Sequence, residues 1–330
     1  MPLVSVIMSV YNGDKHLEES LSSVTNQSLS DWELIVVDDF SQDNSRNIIR
    51  RAMEQDKRVR CIENKKNLGL AASLNIAIQE SRGQYIARMD DDDVSLPCRL
   101  EKQVSFLESN KHIGVVGSMA ELIGIKNGIR RHAEKDLDIK NRTLFSCQFC
   151  HPTTIIRKDL LDRTGIRYDE SFRTAQDYKL WVDLLPHTSF YNMSETLLQY
   201  RVHNGQISSS KRKEQKNNTY IIYETIFQRL GLLATDELLL LHEAIASFSY
   251  QSQQVKQVEA VKDHLWSLIE ANAEKNYFPH VEFAKFLSEL FYNILKRSAI
   301  AKRSKVKLYY EKGFHHHFKP ALSKIKLALS

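Results

Sequence analysis

The chain has 330 residues, of which 42% are hydrophobic and 26% are charged, the balance of a globular protein. No apolar run approaches the roughly 18 residues of a membrane-spanning helix, and the N-terminus lacks the basic region of a signal peptide. Four cysteines are too few for a disulfide scaffold in a chain of this length. We therefore expect a cytoplasmic protein with one large domain or two smaller ones.

The first 110 residues alternate between strand and helix patterns. Apolar runs predict strands at 3–10, 32–39, 58–63 and 84–89. Apolar residues spaced three and four apart predict helices at 15–26, 42–54, 70–80 and 96–109. Strands that alternate with helices imply a mostly parallel α/β sheet with helices on both faces. Ligands of such sheets bind beyond the carboxyl ends of the strands.

The pattern changes after residue 112. Short strands are predicted at 113–118, 153–157 and 197–202, with a helix near 176–185. Beyond residue 212 the pattern is almost entirely helical, with predicted helices at 219–232, 236–249, 255–270 and 281–298. The sequence thus predicts an α/β region followed by an all-helical one.

Polar residues follow the first two predicted strands. Tyr11 and Asn12 come after the first strand, and Asp38 and Asp39 come after the second. A carboxylate in this place can accept a hydrogen bond from the N–H of a nucleotide base, and a tyrosine ring can stack on the base. The alternatives are that Asp39 caps the helix at 42–54 and that Tyr11 only packs against its neighbours.

Four consecutive acids, Asp90 to Asp93, follow the fourth strand. Four carboxylates repel one another and are costly to bury unless a cation balances them. Oxygen ligands suit Mg²⁺ or Mn²⁺, and such an ion could neutralise a departing diphosphate. The alternative is a solvated acidic turn that caps the helix beginning near Leu96.

A third acid, Asp177, lies in the segment AQDYKLW. It begins a predicted helix whose Leu180 and Trp181 face inward. The simple interpretation is N-terminal capping of that helix.

Cys147 and Cys150 have C-x-x-C spacing, but a zinc site needs a second ligand pair, and none is evident. We therefore interpret this pair as structural or incidental.

Taken in order, the motifs resemble the family 2 glycosyltransferases of bacterial surface-polysaccharide synthesis, which have the GT-A fold. The resemblance covers roughly residues 1–210. It implies a glycosyltransferase domain at 1–211, with a nucleotide-binding half at 1–110 and an acceptor half at 111–211, followed by a helical region at 212–330. The matching segments are VSVIMSVYNG, WELIVVDDFSQDNS, NLGLAASLNIAI, YIARMDDDDVSLPCRLEKQ, HPTTIIRK, AQDYKLW and YRVHNGQIS.

The resemblance also implies roles for individual residues. Asp177 matches the general base, and Asp90 and Asp92 match the D-x-D pair, with Asp92 the direct metal ligand. His203 is a weaker candidate at the same metal. Two departures are visible, because Gln176 stands where relatives usually have Glu, and Asp91 replaces a residue that is often small. The residues implied to bind the nucleotide-sugar are Ser9, Tyr11, Asn12, Asp39, Asn67, Gly69, Asp90, Asp91, His151 and Arg201.

The implied activity is an inverting transfer that uses Mn²⁺ or Mg²⁺. A hexosyl or N-acetylhexosaminyl group would move from a nucleoside-diphosphate sugar, by expectation a UDP-sugar, to a hydroxyl of a glycan or a polyprenyl-diphosphate-linked glycan. One base and one displacement predict inversion, whereas a double displacement would need a second carboxylate near the anomeric carbon. The alternative is a non-catalytic nucleotide-sugar-binding or scaffold protein of the same pathway.

The net charge of +5 is unevenly distributed. Residues 296–330 contain ten Lys or Arg and one acid, Glu311, whereas the rest of the chain is net negative. A basic segment mixed with apolar residues can lie on an anionic membrane surface, and the alternative is a solvated helix face. We expect no nucleic-acid partner, because the acidic site would repel phosphates. The helical region is a candidate for shaping the acceptor site or a homo-oligomer.

Overall fold

The computed structural model describes residues 1–203, 212–247 and 250–317. The chain divides into two compact units, which we call the sheet unit and the helical unit. The sheet unit comprises Met1–Ile139 and Cys147–Asn218. The helical unit comprises Lys140–Ser146 and Thr219–Ser330. The functional division at residue 211 stays a prediction, and that boundary lies outside the described residues.

The first half of the sheet unit has the predicted alternation of strands and helices. Every residue of the first, second and fourth strands is buried, as expected for parallel strands covered on both faces. The elements are β1 (Val4–Val10), α1 (Asp14–Thr25), β2 (Trp32–Asp38), α2 (Ser45–Gln55), β3 (Val59–Glu63), α3 (Leu70–Glu80) and β4 (Tyr85–Arg88).

The second half of the sheet unit combines short elements with the two longest strands of the sheet, and its helix at Asp136–Thr143 continues past Ile139 into the helical unit. The elements are β5 (Val94–Ser95), α4 (Arg99–Ser109), β6 (Ile113–Gly124), β7 (Gly128–Arg130), α5 (Asp136–Thr143), β8 (Ile155–Arg157), α6 (Lys158–Thr164), α7 (Gln176–Leu184) and β9 (Ser189–Val202). A single 3₁₀ turn, His151–Thr153, precedes β8.

The strands form one sheet in the order β3-β2-β1-β4-β8-β6-β9-β5, with β7 paired to β6. Strands β1 to β4 are parallel, which confirms the predicted mostly parallel sheet, and the assignment of this half to nucleotide binding stays a prediction. Strand β8 is antiparallel to both β4 and β6, and β6 is parallel to β9. The carboxyl ends of β1, β2 and β4 therefore lie side by side, and this edge carries the predicted site.

Several elements differ from the sequence prediction for local reasons. Helix α2 begins at Ser45 rather than at 42, because the Asp43 side chain accepts a hydrogen bond from Ser45 N at 3.0 Å. Helix α4 begins at Arg99 rather than at 96, because Leu96 N donates to Leu197 O at 3.0 Å as β5 pairs with β9. Strands β6 and β9 extend beyond their predicted bounds, since their outer parts pair with each other while remaining half-exposed.

The helical unit has the predicted character. The helix at Asp236–Ala246 begins at a Thr235 cap, whose side chain accepts a hydrogen bond from Leu238 N. The helix at Val255–Lys275 ends at Asn276, which has the left-handed conformation. The predicted end of the second helix at 248–249 lies outside the described residues. None of the helices in the described ranges has the length and apolar character required to cross a bilayer. The helices are α8 (Arg212–Leu230), α9 (Asp236–Ala246), α10 (Val255–Lys275), α11 (His280–Arg297), α12 (Lys302–Glu311) and α13 (Phe314–His317).

Candidate active site

The loops after β1 and β2 are joined by hydrogen bonds. Asn12 has a left-handed backbone with φ of 53°, its N–H donates to Ser41 Oγ at 3.1 Å, and its Oδ1 accepts from Gln42 N at 2.8 Å. The peptide N–H of Asp39 donates to Val10 O at 2.8 Å. Asn12 therefore connects the two loops in this structure, and its predicted contact with a nucleotide stays a prediction.

Asp39 organises the loop before α3. It is 2% exposed, and its Oδ1 accepts from Leu68 N and from Asn64 Nδ2, each at 2.8 Å. Its Oδ2 accepts from Gly69 N at 2.8 Å, and Asn67 Nδ2 donates to the Asp39 carbonyl at 3.4 Å. The structure thus brings together Asp39, Asn67 and Gly69, and their predicted contacts with a nucleotide stay predictions. Each carboxylate oxygen accepts about two hydrogen bonds, so Oδ2 has capacity for a further donor.

Two aromatic side chains extend into solvent beside this loop. Tyr11 is 51% exposed, and Phe40 is 40% exposed. Phe40 has a left-handed φ of 69°, a conformation that costs non-glycine residues about 1–2 kcal/mol. The sequence analysis missed Phe40, although an apolar residue inside the polar turn after Asp39 was a visible signal. Ser9, the penultimate residue of β1, is almost fully buried and precedes Tyr11 by two residues in the sequence.

The four acids after β4 divide into two groups. Carboxylate oxygens of Asp90, Asp92 and Asp93 all lie within 4.8 Å of one another. Asp91 points elsewhere, since a Cβ added to Gly13 would lie 2.2 Å from Asp91 Oδ2. The sequence analysis named Asp90 and Asp92 as metal ligands, and the structure adds Asp93 to this group, which we call the acidic cluster.

Asp93 is the fully buried member of the acidic cluster. Its Oδ1 accepts from Arg201 N at 2.7 Å, whereas its Oδ2 has no hydrogen-bond partner among the described residues. A buried carboxylate oxygen without a partner is costly, so this atom is suited to accept a ligand. No feature of the sequence marked Asp93 out from its three neighbours.

Burial and electrostatic repulsion act on Asp91, Asp92 and Asp93. Burial, together with the charges of Asp92 and Asp90, raises the pKa of Asp91 to about 8. Burial and the charge of Asp90 also raise the pKa of Asp92 and that of Asp93. Protons and divalent cations are alternative ways to relieve such repulsion. The donor set consists of hard oxygens, so it fits Mg²⁺ or Mn²⁺.

The end of β9 holds the acidic loop in place. Arg201 Nε donates to Asp92 O at 2.8 Å, and its guanidinium also pairs with Glu19 of α1 at 2.6 Å. His203 Nε2 lies 2.9 Å from Asp92 Oδ2, and its predicted role at a metal stays a prediction. Residues 204–208 of the YRVHNGQIS motif lie outside the described ranges. Arg201 supports the loop through these contacts, and its predicted nucleotide contact stays a prediction.

Two buried arginines lie beside the acidic cluster, and the sequence analysis did not identify them as part of the site. Arg88, 2% exposed, pairs with the Asp90 carboxylate. Arg99 is fully buried, and its Nη2 donates to Arg88 O at 2.6 Å. Their charges offset part of the negative charge of the cluster. An arginine in an apolar strand immediately before four acids was a signal that could have identified Arg88.

Asp177 lies in the first turn of α7, after Ala175 with a left-handed φ of 58°. Its Oδ2 accepts a hydrogen bond from Cys147 Sγ at 3.5 Å. Burial raises the pKa of Asp177, and the charge of Asp90 raises it further. A carboxyl group with a raised pKa is a better proton acceptor than an ordinary one. The predicted role of Asp177 as general base stays a prediction.

His151 belongs to an aromatic group at the same end of the sheet unit. Its Nε2 lies 2.7 Å from the Tyr168 hydroxyl, and its ring contacts the edge of Trp181. Burial lowers the pKa of His151 well below its usual value, so the ring is neutral at neutral pH. The structure gives His151 these protein partners, and its predicted contact with the sugar nucleotide stays a prediction.

Solved structures define the class of fold. S. aureus TarS 1–349 in complex with UDP-GlcNAc matches 96% of this chain and 91% of that chain, with a TM-score of 0.61 and 18% identity. The mannosyltransferase PcManGT from Pyrobaculum calidifontis, in complex with GDP-Man and Mn²⁺, matches 99% and 85%, with a TM-score of 0.54 and 16% identity. The fold is therefore that of the GT-A glycosyltransferases.

Sequence relatives define the family. The family model described as Glycosyl transferase family 2 matches residues 5–165. The O-antigen biosynthesis glycosyltransferase WbnJ of Escherichia coli is 35% identical over 241 residues, 69% of this chain and 91% of that one. The E. coli UDP-Glc:alpha-D-GlcNAc-diphosphoundecaprenol beta-1,3-glucosyltransferase WfgD is 31% identical over 217 residues, 65% and 83% of the two chains. The chain belongs to glycosyl transferase family 2.

Proposed function

We propose that this protein transfers a sugar, with inversion, from a nucleoside-diphosphate sugar to a hydroxyl of a glycan or lipid-linked glycan. The observation that carries the proposal is the pairing of two carboxylate sites at one end of the sheet unit. The acidic cluster suits a divalent cation, and Asp177 has a pKa raised by burial and by the charge of Asp90. A binding protein would have no need of such a base.

The proposed donor is a UDP-sugar carrying a hexosyl or N-acetylhexosaminyl group. WfgD is named for UDP-Glc, and TarS was solved with UDP-GlcNAc. In this chain Asp39 Oδ2 accepts one hydrogen bond from the protein and can accept another from a base N–H. Tyr11 is exposed two residues after Ser9 and offers a ring face to the same base.

The acidic cluster is the proposed site of Mn²⁺ or Mg²⁺. Asp90, Asp92 and Asp93 would hold the ion, with His203 beside Asp92. When bound, the ion supplies positive charge against a diphosphate. Arg88 and Arg99 are already in place to offset excess negative charge of the cluster. Arg201 keeps the loop in position through Asp93 Oδ1 and Asp92 O.

Asp177 is the proposed general base. It takes the proton from the acceptor hydroxyl as that oxygen attacks the anomeric carbon, and the nucleoside diphosphate leaves from the opposite face of the sugar. A single displacement inverts the anomeric configuration. Burial of Asp177 raises its affinity for the proton, so the carboxylate is a competent base near neutral pH.

The proposed setting is surface-polysaccharide synthesis on a lipid-linked acceptor at the cytoplasmic membrane face. WbnJ and WfgD are named for O-antigen synthesis and for a diphosphoundecaprenol acceptor. The basic segment 296–330 would contact anionic lipids, each basic residue near the surface contributing about 1 kcal/mol. Lys302, Arg303 and Lys307 of α12 are exposed, which supports this contact, and residues 318–330 lie outside the described chain.

The proposal is tested by calorimetric titration of UDP into the protein with and without Mn²⁺. Metal-dependent binding that is lost in Asp92→Ala supports the donor site and the uridine assignment. Metal-dependent binding of GDP or dTDP in place of UDP would replace the donor. Failure to bind any nucleoside diphosphate would contradict the proposal. Nucleotide-sugar binding without turnover on any acceptor would favour a non-catalytic role.

A further inference from the structure

Cys147 lies directly beside Asp177. Its Sγ is 3.5 Å from Asp177 Oδ2 and 3.6 Å from Phe149 O. A thiol has one proton and therefore donates to one of these oxygens at a time. Among the side chains that the structure describes, Cys147 is the one that hydrogen-bonds to the Asp177 carboxylate. The remaining donors to this carboxylate are backbone N–H groups of Tyr178 and Asp177.

We propose that Cys147 is a positioning residue for Asp177, holding Oδ2 by an S–H···O hydrogen bond in the orientation that receives the acceptor proton. The inference rests on the proposed function and deepens it. A hydroxyl in place of the thiol would form a shorter and stronger bond to the carboxylate. Such a bond would stabilise the charged form and reduce its tendency to take a proton. A methyl group would leave the carboxylate without this contact.

Burial and the neighbouring charges keep the Cys147 thiol protonated. Burial, followed by the charge of Asp177, raises the pKa of Cys147 well above its usual value, and Cys150 contributes in the same direction. The charge of Asp90 raises the pKa of Asp177, and the charge of Asp177 raises that of Tyr168. Cys147 is therefore a hydrogen-bond donor at neutral pH. The same neighbour opposes formation of the reactive thiolate.

The contact itself is tested without catalysis, by the rate at which iodoacetamide alkylates Cys147, followed by mass spectrometry across a range of pH. Asp177→Asn removes the charge that opposes the thiolate, so we expect the Cys147 rate at pH 8 to rise about fivefold or more. The exposed Cys98 is the internal control, and its rate should stay constant. An unchanged Cys147 rate in Asp177→Asn would overturn the inference.

The consequence for the base is tested by the pH profile of kcat. Cys147→Ala should move the acid limb to higher pH, because the carboxylate loses a donor, and Cys147→Ser should move it to lower pH. Cys98→Ala, a matched cysteine substitution outside the site, should keep the wild-type limb. Limbs that do not move in opposite directions would overturn the inference while leaving the proposed function intact. Absence of transferase activity in the wild type would overturn both.

Discussion

Both compact units bury titratable side chains, but the two sets differ in the charge that they carry. In the sheet unit, Asp90, Asp92 and Asp93 face one another, and Asp93 Oδ2 has no partner among the described residues. In the helical unit, His242 and His264 are buried as a pair, with His242 Nδ1 lying 2.9 Å from His264 Nε2.

The histidine pair is neutral, and His264 Nδ1 is a buried atom without a hydrogen-bond partner among the described residues. His242 Nε2 lies 2.9 Å from Leu144 O, and the Phe145 ring stacks on the His242 ring. Burial lowers the pKa of His242 to about 4 and that of His264 well below its usual value. Carboxylates that cluster in excess of the neighbouring positive charge indicate a ligand site, whereas a buried neutral pair indicates packing. The predictions below test this contrast.

The largest effect is expected from Asp177→Asn. Removal of the base should lower kcat about 10²–10⁴-fold while donor binding persists. Asp183→Asn is the matched control, because Asp183 lies on the same helix in a half-buried ion pair with Lys179. Steady-state kinetics and calorimetry measure the two quantities. A variant that retains most of its turnover would contradict the role of Asp177.

Asp177→Asn should also change stability in a pH-dependent manner. The folded pKa of Asp177 is raised above its unfolded value, so its stabilising contribution is present at low pH and is lost as the pH rises through the folded pKa. Asn at this position does not ionise, so the variant lacks this pH-dependent loss of stability. Its Tm should exceed that of the wild type at pH 8, and the difference should shrink toward pH 4. A lower Tm for the variant at pH 8 would contradict the burial of charge at this position.

Metal binding should stabilise the sheet unit. An ion at 100 times its Kd adds about 2.7 kcal/mol to the free energy of unfolding, so Mn²⁺ should raise Tm and EDTA should reverse the rise. Asp93→Asn should weaken Mn²⁺ binding at least about tenfold. Asp91→Asn is the matched comparison, because Asp91 points toward Gly13, and it should have a smaller effect. Equal losses in both variants would show that Asp93 has no special role.

The sequence could predict the strands that lead to the candidate site, but not which side chains turn toward the site. Strands β1, β2 and β4 are continuous apolar runs, and the acids after them follow from that topology. Which of the four acids turn inward is decided by β5, which pairs with β9, and by Arg201 N, which is 108 residues from Asp93 in sequence. The contact between Cys147 and Asp177 likewise joins segments 30 residues apart. Such contacts leave no periodic signal.

The histidine pair predicts acid sensitivity of the helical unit. Because both folded pKa values are lowered, the contribution of the pair is fully present above the unfolded value of 6.5 and is lost as the pH falls toward about 4. The double variant His242→Gln/His264→Gln removes the titration. Thermal unfolding from pH 7 to pH 4.5 should destabilise the wild type more than this variant. Parallel curves would mean that other groups cause the acid sensitivity.

The smallest effect is expected at Phe40. Phe40→Gly removes the side chain from a left-handed conformation and should stabilise the fold by about 0.5–1 kcal/mol, after the larger unfolded-state entropy of glycine is subtracted. Ile129→Gly, an exposed apolar residue with an extended backbone in β7, is the comparison and should be destabilising. Urea denaturation measures both. A destabilised Phe40→Gly would show that the exposed ring contributes more to stability than its conformation costs.

The most direct test of single displacement at this site is the anomeric form of the sugar first released. With Mn²⁺ and a UDP-sugar of α configuration, water can replace the acceptor, and proton NMR can record the product before it mutarotates. Attack by one base-activated oxygen predicts that the β anomer appears first, and that Asp177→Asn releases it far more slowly. Initial release of the α anomer would contradict the single displacement and the role assigned to Asp177.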